Sequence, residues 1–227
     1  MKLSNDTLTV LKNFASINKN IMLKKGKTLK TISGGKNVIA EATISEEIPA
    51  DFGVYDLNEF LSILSLHKDD AVLDFDDDTI LISGQKGRSK TKYRFCAPGL
   101  ILAAPEKPVA MPDAEISFEL SAEDFDWVMR AASVLSSPNI VVESDGKKVF
   151  ITAIDLANSA AHTDSLEIAN STNGDSYRMC FKTENIKILS GGYDVRISSK
   201  GISHFKHKTL NVQYWIATEA GSTFTKA

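Results

Sequence analysis

The chain has 227 residues, 43% of them hydrophobic, 24% charged and 8% aromatic, with a formal net charge of −3. That length allows one large or two compact domains, and the apolar fraction can supply a buried core, which excludes a disordered chain. No apolar run approaches the roughly 18 residues of a membrane span, and MKLSNDTLTV lacks the charged-then-apolar layout of a secretory leader. A soluble intracellular protein is therefore expected. Two cysteines, Cys96 and Cys180, are too few for a disulfide scaffold or a four-thiolate zinc site, and read as free thiols. Residues 1–110 carry 15 basic side chains against 14 acidic, and residues 111–227 carry 11 against 15. A broad phosphate-binding surface would need a basic excess, so nucleic acid could be met only by a small basic face on an acidic body.

In chain order, the first helix opens at Ser4, a good N-cap residue, and Leu8, Leu11, Phe14 and Ile17 mark its buried stripe. Its opposite face, with Asn5, Thr9, Lys12, Asn13, Ser16 and Lys19, is polar and mildly basic. Short strands follow over residues 20–55, with a hairpin at Gly34-Gly35. A second helix starts at Asp56, with Glu59 in capping-box spacing and a stripe of Leu57, Phe60, Leu61 and Leu64. It carries no lysine before Lys68. Strands return in AVLDF and TILIS, joined through Asp76-Asp77-Asp78, and in TKYRFC.

Residues 97–113 differ in kind. They hold Pro98, Pro105, Pro108 and Pro112 with little charge, and proline keeps a chain extended, so they read as a connector. Leu100-Ile101-Leu102 gives the connector an apolar patch. Beyond it the pattern repeats. A strand ISFEL leads to Ser121 and a helix with Phe125, Val128, Met129, Ala132 and Leu135 on its buried stripe. Trp127 stands at the edge of that stripe, where packing is its expected part. NIVVE and KVFITAI flank an Asp145-Gly146 hairpin, YRMCF leads to a short helix expected at about 183–190, and DVRIS, GISHFKH and LNVQYWIA complete the set. Each half thus reads as helix, strands, helix, strands, which makes a duplicated α+β domain the economical architecture.

Motifs for chemistry are missing. His204 and His207 lie in a strand-like segment that sends side chains three apart to opposite faces, with no cysteine or acidic partner nearby, so no metal site is expected. DFDDD at 74–78 lacks the glycine and distal glutamate of an EF-hand loop and reads as a solvated turn. Gly34-Gly35-Lys36 and Gly191-Gly192 do not have P-loop spacing, and no serine sits in a nucleophile elbow. The chain offers no catalytic set and no cofactor motif, which points to a binding protein. On the outer helix faces, Lys12, Lys19, Arg130, Lys182 and Lys187 together describe a mildly basic surface.

MKLSNDT with LKNFASIN, AEATIS at 40–45, YDLNEFLSILSL at 55–66 and EAGS at 219–222 resemble the DNA polymerase sliding clamp of T-even-type bacteriophages. The resemblance is dense over about residues 1–70 and thinner beyond. It implies two similar clamp domains, 1–96 and 114–227, joined by the connector 97–113. It also implies an architecture like that of proliferating cell nuclear antigen: a ring-forming homotrimer with outer antiparallel sheets and inner helices around duplex DNA. Such a clamp is not an enzyme and has no cofactor. An ATP-driven clamp loader opens it, it tethers the replicative polymerase, and late transcription factors use it, all in the cytoplasm of the infected host. A monomeric processivity factor of the same fold is the alternative, and would want a stronger basic surface.

The resemblance makes Lys12 the first DNA-facing residue, because it stands inside the matching LKNF string. Lys19, Arg130, Lys182 and Lys187 follow from helix face alone. Relatives often have lysine where this chain has Asn5. The resemblance also implies a pocket for partner peptides, with Leu100, Ile101, Trp215, Ile216 and Ala217 as its lining.

Overall fold

A computed structural model of the chain describes residues 1–67, 70–171 and 173–227, so Lys68 lies outside the described residues. The chain divides into two units, Met1–Lys107 and Pro108–Ala227, and the division falls inside the proline-rich connector.

The first unit begins with helix α1 (Asn5–Ile17). Strands β1 (Ile21–Leu23), β2 (Gly26–Ile32), β3 (Val38–Ile48) and β4 (Phe52–Val54) follow, then α2 (Leu57–Leu66), β5 (Val72–Phe75), β6 (Thr79–Gly84) and β7 (Ser89–Arg94). Every pairing is antiparallel: β1 with β4, β2 with β3, and β5–β6–β7 in sequence. The helices start where the sequence predicts. The Ser4 hydroxyl accepts from the Thr7 N–H, and the Asp56 carboxylate from the N–H groups of Asn58 and Glu59, so each cap satisfies donors that a helix N-terminus leaves open. The buried face of α1 is turned slightly from the expected stripe. Thr7, Val10, Leu11, Phe14 and Ile17 are buried, while Leu8 is half-exposed. Leu11, Leu23, Leu29, Ile48, Phe52, Phe60 and Leu73 converge in the core between helices and strands. Phe52 stacks on Phe95 at 4.8 Å, and Phe60 meets Tyr93 edge-on at 5.1 Å.

Thr7 is buried because its hydroxyl has a partner. It donates to Glu46 on β3 at 2.7 Å, and the same carboxylate accepts from the Ser4 N–H and, at 2.8 Å, from the Ser45 hydroxyl. A carboxylate is thus fixed at the N-terminus of α1, where the helix dipole favours it.

The second unit contains β8 (Ile116–Leu120), α3 (Ala122–Val134), β9 (Asn139–Asp145), β10 (Lys148–Ile154), β11 (Asp164–Asn170) and β12 (Ser176–Lys182). It ends with β13 (Tyr193–Ser198), β14 (Ile202–His207), β15 (Val212–Ala217) and β16 (Thr223–Thr225). One antiparallel set runs β11–β10–β9–β12–β16 and the other β8–β13–β14–β15. Ser121 caps α3 through the Asp124 N–H at 3.0 Å. At the Asp145-Gly146 hairpin, Gly146 has φ +90°, and a β-carbon there would meet the Gly174 carbonyl oxygen at 2.7 Å. The turn therefore needs glycine on two counts.

The structure corrects the short helix expected at about 183–190. Only a single 3₁₀ turn forms, Thr183–Asn185. Ile186 and Ile188 are both buried with Lys187 exposed between them, which is the period of extended chain. Core tyrosines hold it so: the Leu189 carbonyl accepts from the Tyr193 hydroxyl, and the Leu189 N–H donates to the Tyr214 hydroxyl oxygen at 3.3 Å. Backbone groups that a helix would use internally are already engaged. Tyr193 is the hub of this core, with Phe125, Phe205, His207 and Tyr214 around it at 5.0–6.3 Å.

Burial works to raise the pKa of Glu46, but the bonds from Thr7, Ser4 and Ser45 prevail and hold it at about 2, against an ordinary 4.5. A depressed carboxyl stabilises the fold fully above about pH 4.5, and that contribution is lost as pH falls towards 2. Glu46→Gln should therefore cost about 1–2 kcal/mol at neutral pH. In urea melts, the difference from the parent chain should shrink through the same acid window; a difference that is independent of pH would show that the charge is not what holds α1.

Candidate nucleic-acid interface

In each unit the helices bury one stripe and leave a polar face outward. Their basic residues are few: Lys12 on α1, none on α2, and Arg130 on α3. Lys12 and Arg130 are exposed, and among the described residues no carboxylate forms an ion pair with either. Lys12 stands at the rim of a groove of about 370 Å³ between α1 and α2, lined by Leu3, Asn5, Leu8, Leu61, Leu64 and Leu73. The first helix has Asp6 as its only acid, so its outer face keeps the lysine charge. The third is more acidic, with Glu123, Asp124 and Asp126, and the last accepts from the Ser190 hydroxyl at 2.6 Å.

Three other sequence-predicted basic residues are set differently from expectation. Lys19 lies beyond the end of α1, where Asn18 is already extended. Its ammonium pairs with Asp56 at 3.2 Å and sits 5.7 Å from the centre of the Tyr55 ring. Lys19 therefore helps anchor the α2 cap, and the nearby carboxylate offsets its charge locally. Backbone bonds from Glu59, with the Lys19 ammonium, hold the Asp56 carboxyl below its ordinary range. Lys182 closes strand β12, and Lys187 lies in the extended segment after the 3₁₀ turn, so neither belongs to a helix face. Both are exposed.

The residues expected to line a peptide pocket are also distributed unevenly. In the first unit, Leu100 is 64% exposed on a 3₁₀ turn (Pro98–Leu100). Ile101 is half-buried, and its side chain would lie 3.1 Å from a β-carbon on Gly53. This part of the connector is fastened down. Asn20 accepts from the Leu102 N–H at 3.1 Å, Asn18 donates to the Leu102 carbonyl at 3.4 Å, and Lys24 pairs with Glu106 at 3.3 Å. In the second unit Trp215 is nearly buried and stacks on His204, with ring centres 5.0 Å apart. Burial, and then the nearby charges of Arg196 and Lys206, push His204 below its ordinary pKa, although its contact with Gln213 at 2.9 Å opposes this. Ala217 is half-buried, and Ile216 has no exposed surface.

Two features at the surface were not singled out by function in the sequence. Trp127 is half exposed and donates its indole N–H to Asp164 at 2.9 Å. Strands β7 and β11 each pair on one side only within their own unit. Asp74–Asp78 forms the β5–β6 hairpin, where the Asp76 N–H donates to the Thr79 carbonyl at 2.9 Å and Asp78 pairs with Arg94 at 3.2 Å.

Two α+β units, the first with two helices and the second with one laid on antiparallel strands, are the DNA-clamp fold. Solved structures share it. One from the PCNA2–PCNA3 complex of Sulfolobus tokodaii matches with a TM-score of 0.69 at 12% identity, covering 97% of this chain and 100% of that one. Another, A. fulgidus PCNA bound to the C-terminal region of FEN-1, matches with a TM-score of 0.69 at 16% identity, covering 95% and 96%. The family model for the DNA polymerase processivity factor matches residues 4–97, and that for the gp45 sliding clamp, C terminal, matches residues 117–220. Sliding clamps of Vibrio phage KVP40 and Escherichia phage RB69 are each 35% identical, over 97% and 98% of this chain and 100% and 99% of theirs. That of Enterobacteria phage T4 is 34% identical over 98% of this chain and 99% of its own.

The chain belongs to the sliding-clamp family of DNA polymerase processivity factors. It is a clamp that tethers a DNA polymerase.

Gly53 joins the connector to the first unit. The Cys96 N–H donates to its carbonyl at 2.8 Å, and a β-carbon at this position would meet the Cys96 carbonyl oxygen at 2.7 Å. Gly53→Ala should cost about 1–3 kcal/mol through overpacking. It should also speed hydrogen exchange at the Cys96 and Leu102 N–H groups; unchanged exchange would mean that the connector is held elsewhere.

Proposed function

We propose that three copies of this chain close into a ring around duplex DNA and hold the polymerase by topology. The observation that carries this is that β7 in the first unit and β11 in the second each end a run of antiparallel strands with one edge free within the unit. An unpaired edge is a liability unless covered, and a head-to-tail contact between copies covers both in every copy once the ring closes. Their charges are of opposite sign: Lys90 and Lys92 are exposed on β7, while β11 carries Asp164 and Glu167, the latter also paired with Lys148 at 2.6 Å.

Encirclement also explains a DNA-binding protein of net charge −3. A topological link needs no tight grip, and a few cations near the phosphates give mobile attraction without base readout. Lys12 and Arg130 are the leading DNA-facing residues, with Lys19, Lys182 and Lys187 in weaker supporting positions. An ATP-driven clamp loader would open the ring. The protein would have no catalytic activity of its own, and no cofactor or metal would take part. Partner segments from the polymerase, the loader and late transcription factors would dock on the apolar surface of the connector around Leu100 and Ile101. The setting would be the cytoplasm of an infected bacterium.

Loaded protein should stay on nicked circular DNA and run off linear DNA at moderate salt. Equal retention on both, or a mass of one chain instead of about 75 kDa (three times 24.8) at every concentration, would refute the ring and favour a monomeric processivity factor. Lys12→Ala should lower the slope of log affinity against log salt by about one. Lys19→Ala should lower it by less, because Asp56 already offsets its charge. Leu100→Ala should weaken polymerase binding about tenfold while leaving loading intact; unchanged binding would move the docking surface away from the connector.

A further inference from the structure

The turn that leads into β12 holds a residue pair with chemistry of its own. Asn173 is the only asparagine of the chain followed by glycine, and both Asn173 and Gly174 are exposed. Gly174 has φ +78°, a left-handed conformation that glycine adopts without strain. The Asn173 side-chain carbonyl accepts from the Asp175 N–H at 3.3 Å, an Asx turn that folds the amide carbon back over the next peptide. Among the described residues nothing accepts a bond from the Gly174 N–H. The nitrogen beside the side-chain amide carbon is therefore unengaged, open to water and unshielded by any β-carbon.

The same amide closes a structural joint. Asn173 Nδ2 donates to Asp175 Oδ2 at 2.6 Å, and Asp175 Oδ1 accepts from the Ala227 N–H at 2.9 Å. Asp175 is only 6% exposed, so it depends on such donors to remain where it is. Strand β16 pairs with β12 over three residues, Ser176–Arg178 against Thr223–Thr225. So short a strand leans on the bonds that flank it. The Gly174 carbonyl also lies close to Gly146, where a β-carbon would meet it at 2.7 Å.

We propose that Asn173–Gly174 is a site of spontaneous covalent modification, and that its conversion unfastens β16. The Gly174 nitrogen gives up its proton and bonds to Asn173 Cγ. The Cγ–Nδ2 bond breaks, and ammonia leaves with that proton, which closes a five-membered imide. Water then opens the ring: its hydroxyl adds to one imide carbonyl carbon and its proton returns to the ring nitrogen. The product at this position is aspartate or isoaspartate, and water is the sole co-reactant. Either product exchanges the donating amide for a carboxylate beside Asp175, and two like charges at a buried position repel. Isoaspartate also adds a methylene to the main chain in a turn packed against Gly146. Asp175 then releases Ala227, and β16 opens the outer edge of β12. Glu219 and Ser222 stay in place through their own bonds to Cys180.

The full chain, kept in mildly alkaline buffer, should release ammonia. Peptide mass mapping should find the amide-to-acid change at Asn173 before Asn158 and Asn170, which are equally exposed but precede serine. Asn173→Gln should keep its mass over the same time, because its ring closure needs a six-membered imide. In the aged protein, and in Asn173→Asp with unchanged circular dichroism, hydrogen exchange at the Ala227 N–H should rise about tenfold. Exchange at the Glu219 N–H should not change. Conversion of Asn158 or Asn170 ahead of Asn173 would overturn the modification site. Complete conversion with Ala227 exchange unaltered would overturn its link to β16.

Discussion

Backbone groups at the edge of a sheet must find partners or stay wet, and this constraint organises the molecule. Within each unit the inner strands are satisfied on both sides, while β7 and β11 are among the strands that pair on one side only. Helices cover one face of the strands and cannot reach the edge hydrogen bonds. The unit is stable as a fold and incomplete as a surface. In the proposed ring, lysines on one edge and carboxylates near the other would favour head-to-tail pairing over pairing of like with like.

The helices answer a different demand. Their inward stripes fix them to the strands, and the outward faces of α1 and α2 are rich in uncharged amides and hydroxyls, with Asn5, Thr9, Asn58 and Ser62 exposed, while α3 is more acidic. In the proposed ring, Lys12 and Arg130 would supply attraction that water and salt can readily exchange. A strongly basic lining would hold DNA in place, whereas a clamp has to travel along it. The acidic balance of the second unit is compatible with this, because charge far from the phosphates is screened within about 10 Å.

Much of the fold was legible because its signals are local. Ser4, Asp56 and Ser121 announce their helices within three residues, and Asp145-Gly146 announces its hairpin with the pair itself. The short helix at 183–190 was misread because its alternative depends on Tyr193 and Tyr214, whose hydroxyls reach Leu189 from other strands. Periodicity in a short apolar run cannot reveal that competition. The site residues were legible in the same measure. Lys12 sits in an unbroken helical pattern, and the structure leaves it exposed on α1. Lys19 stands off the helix face, because the helix stops at Ile17 and Asp56 captures the ammonium from far along the chain. Trp127 and the two edges carried no functional signal in the sequence, since exposure is a property of the folded neighbourhood.

The connector, finally, is half furniture of the first unit. Asn18 and Asn20 grip Leu102, Lys24 grips Glu106, and Gly53 admits Cys96 close against its own strand. A partner segment docking on Leu100 as proposed would meet a ledge with its shape already set, and would lose little disorder in doing so. Any pull it exerts is delivered straight into β1, β2 and β4. A polymerase tugging ahead on its template would drag the first unit as a rigid handle, with no slack line between hook and hull.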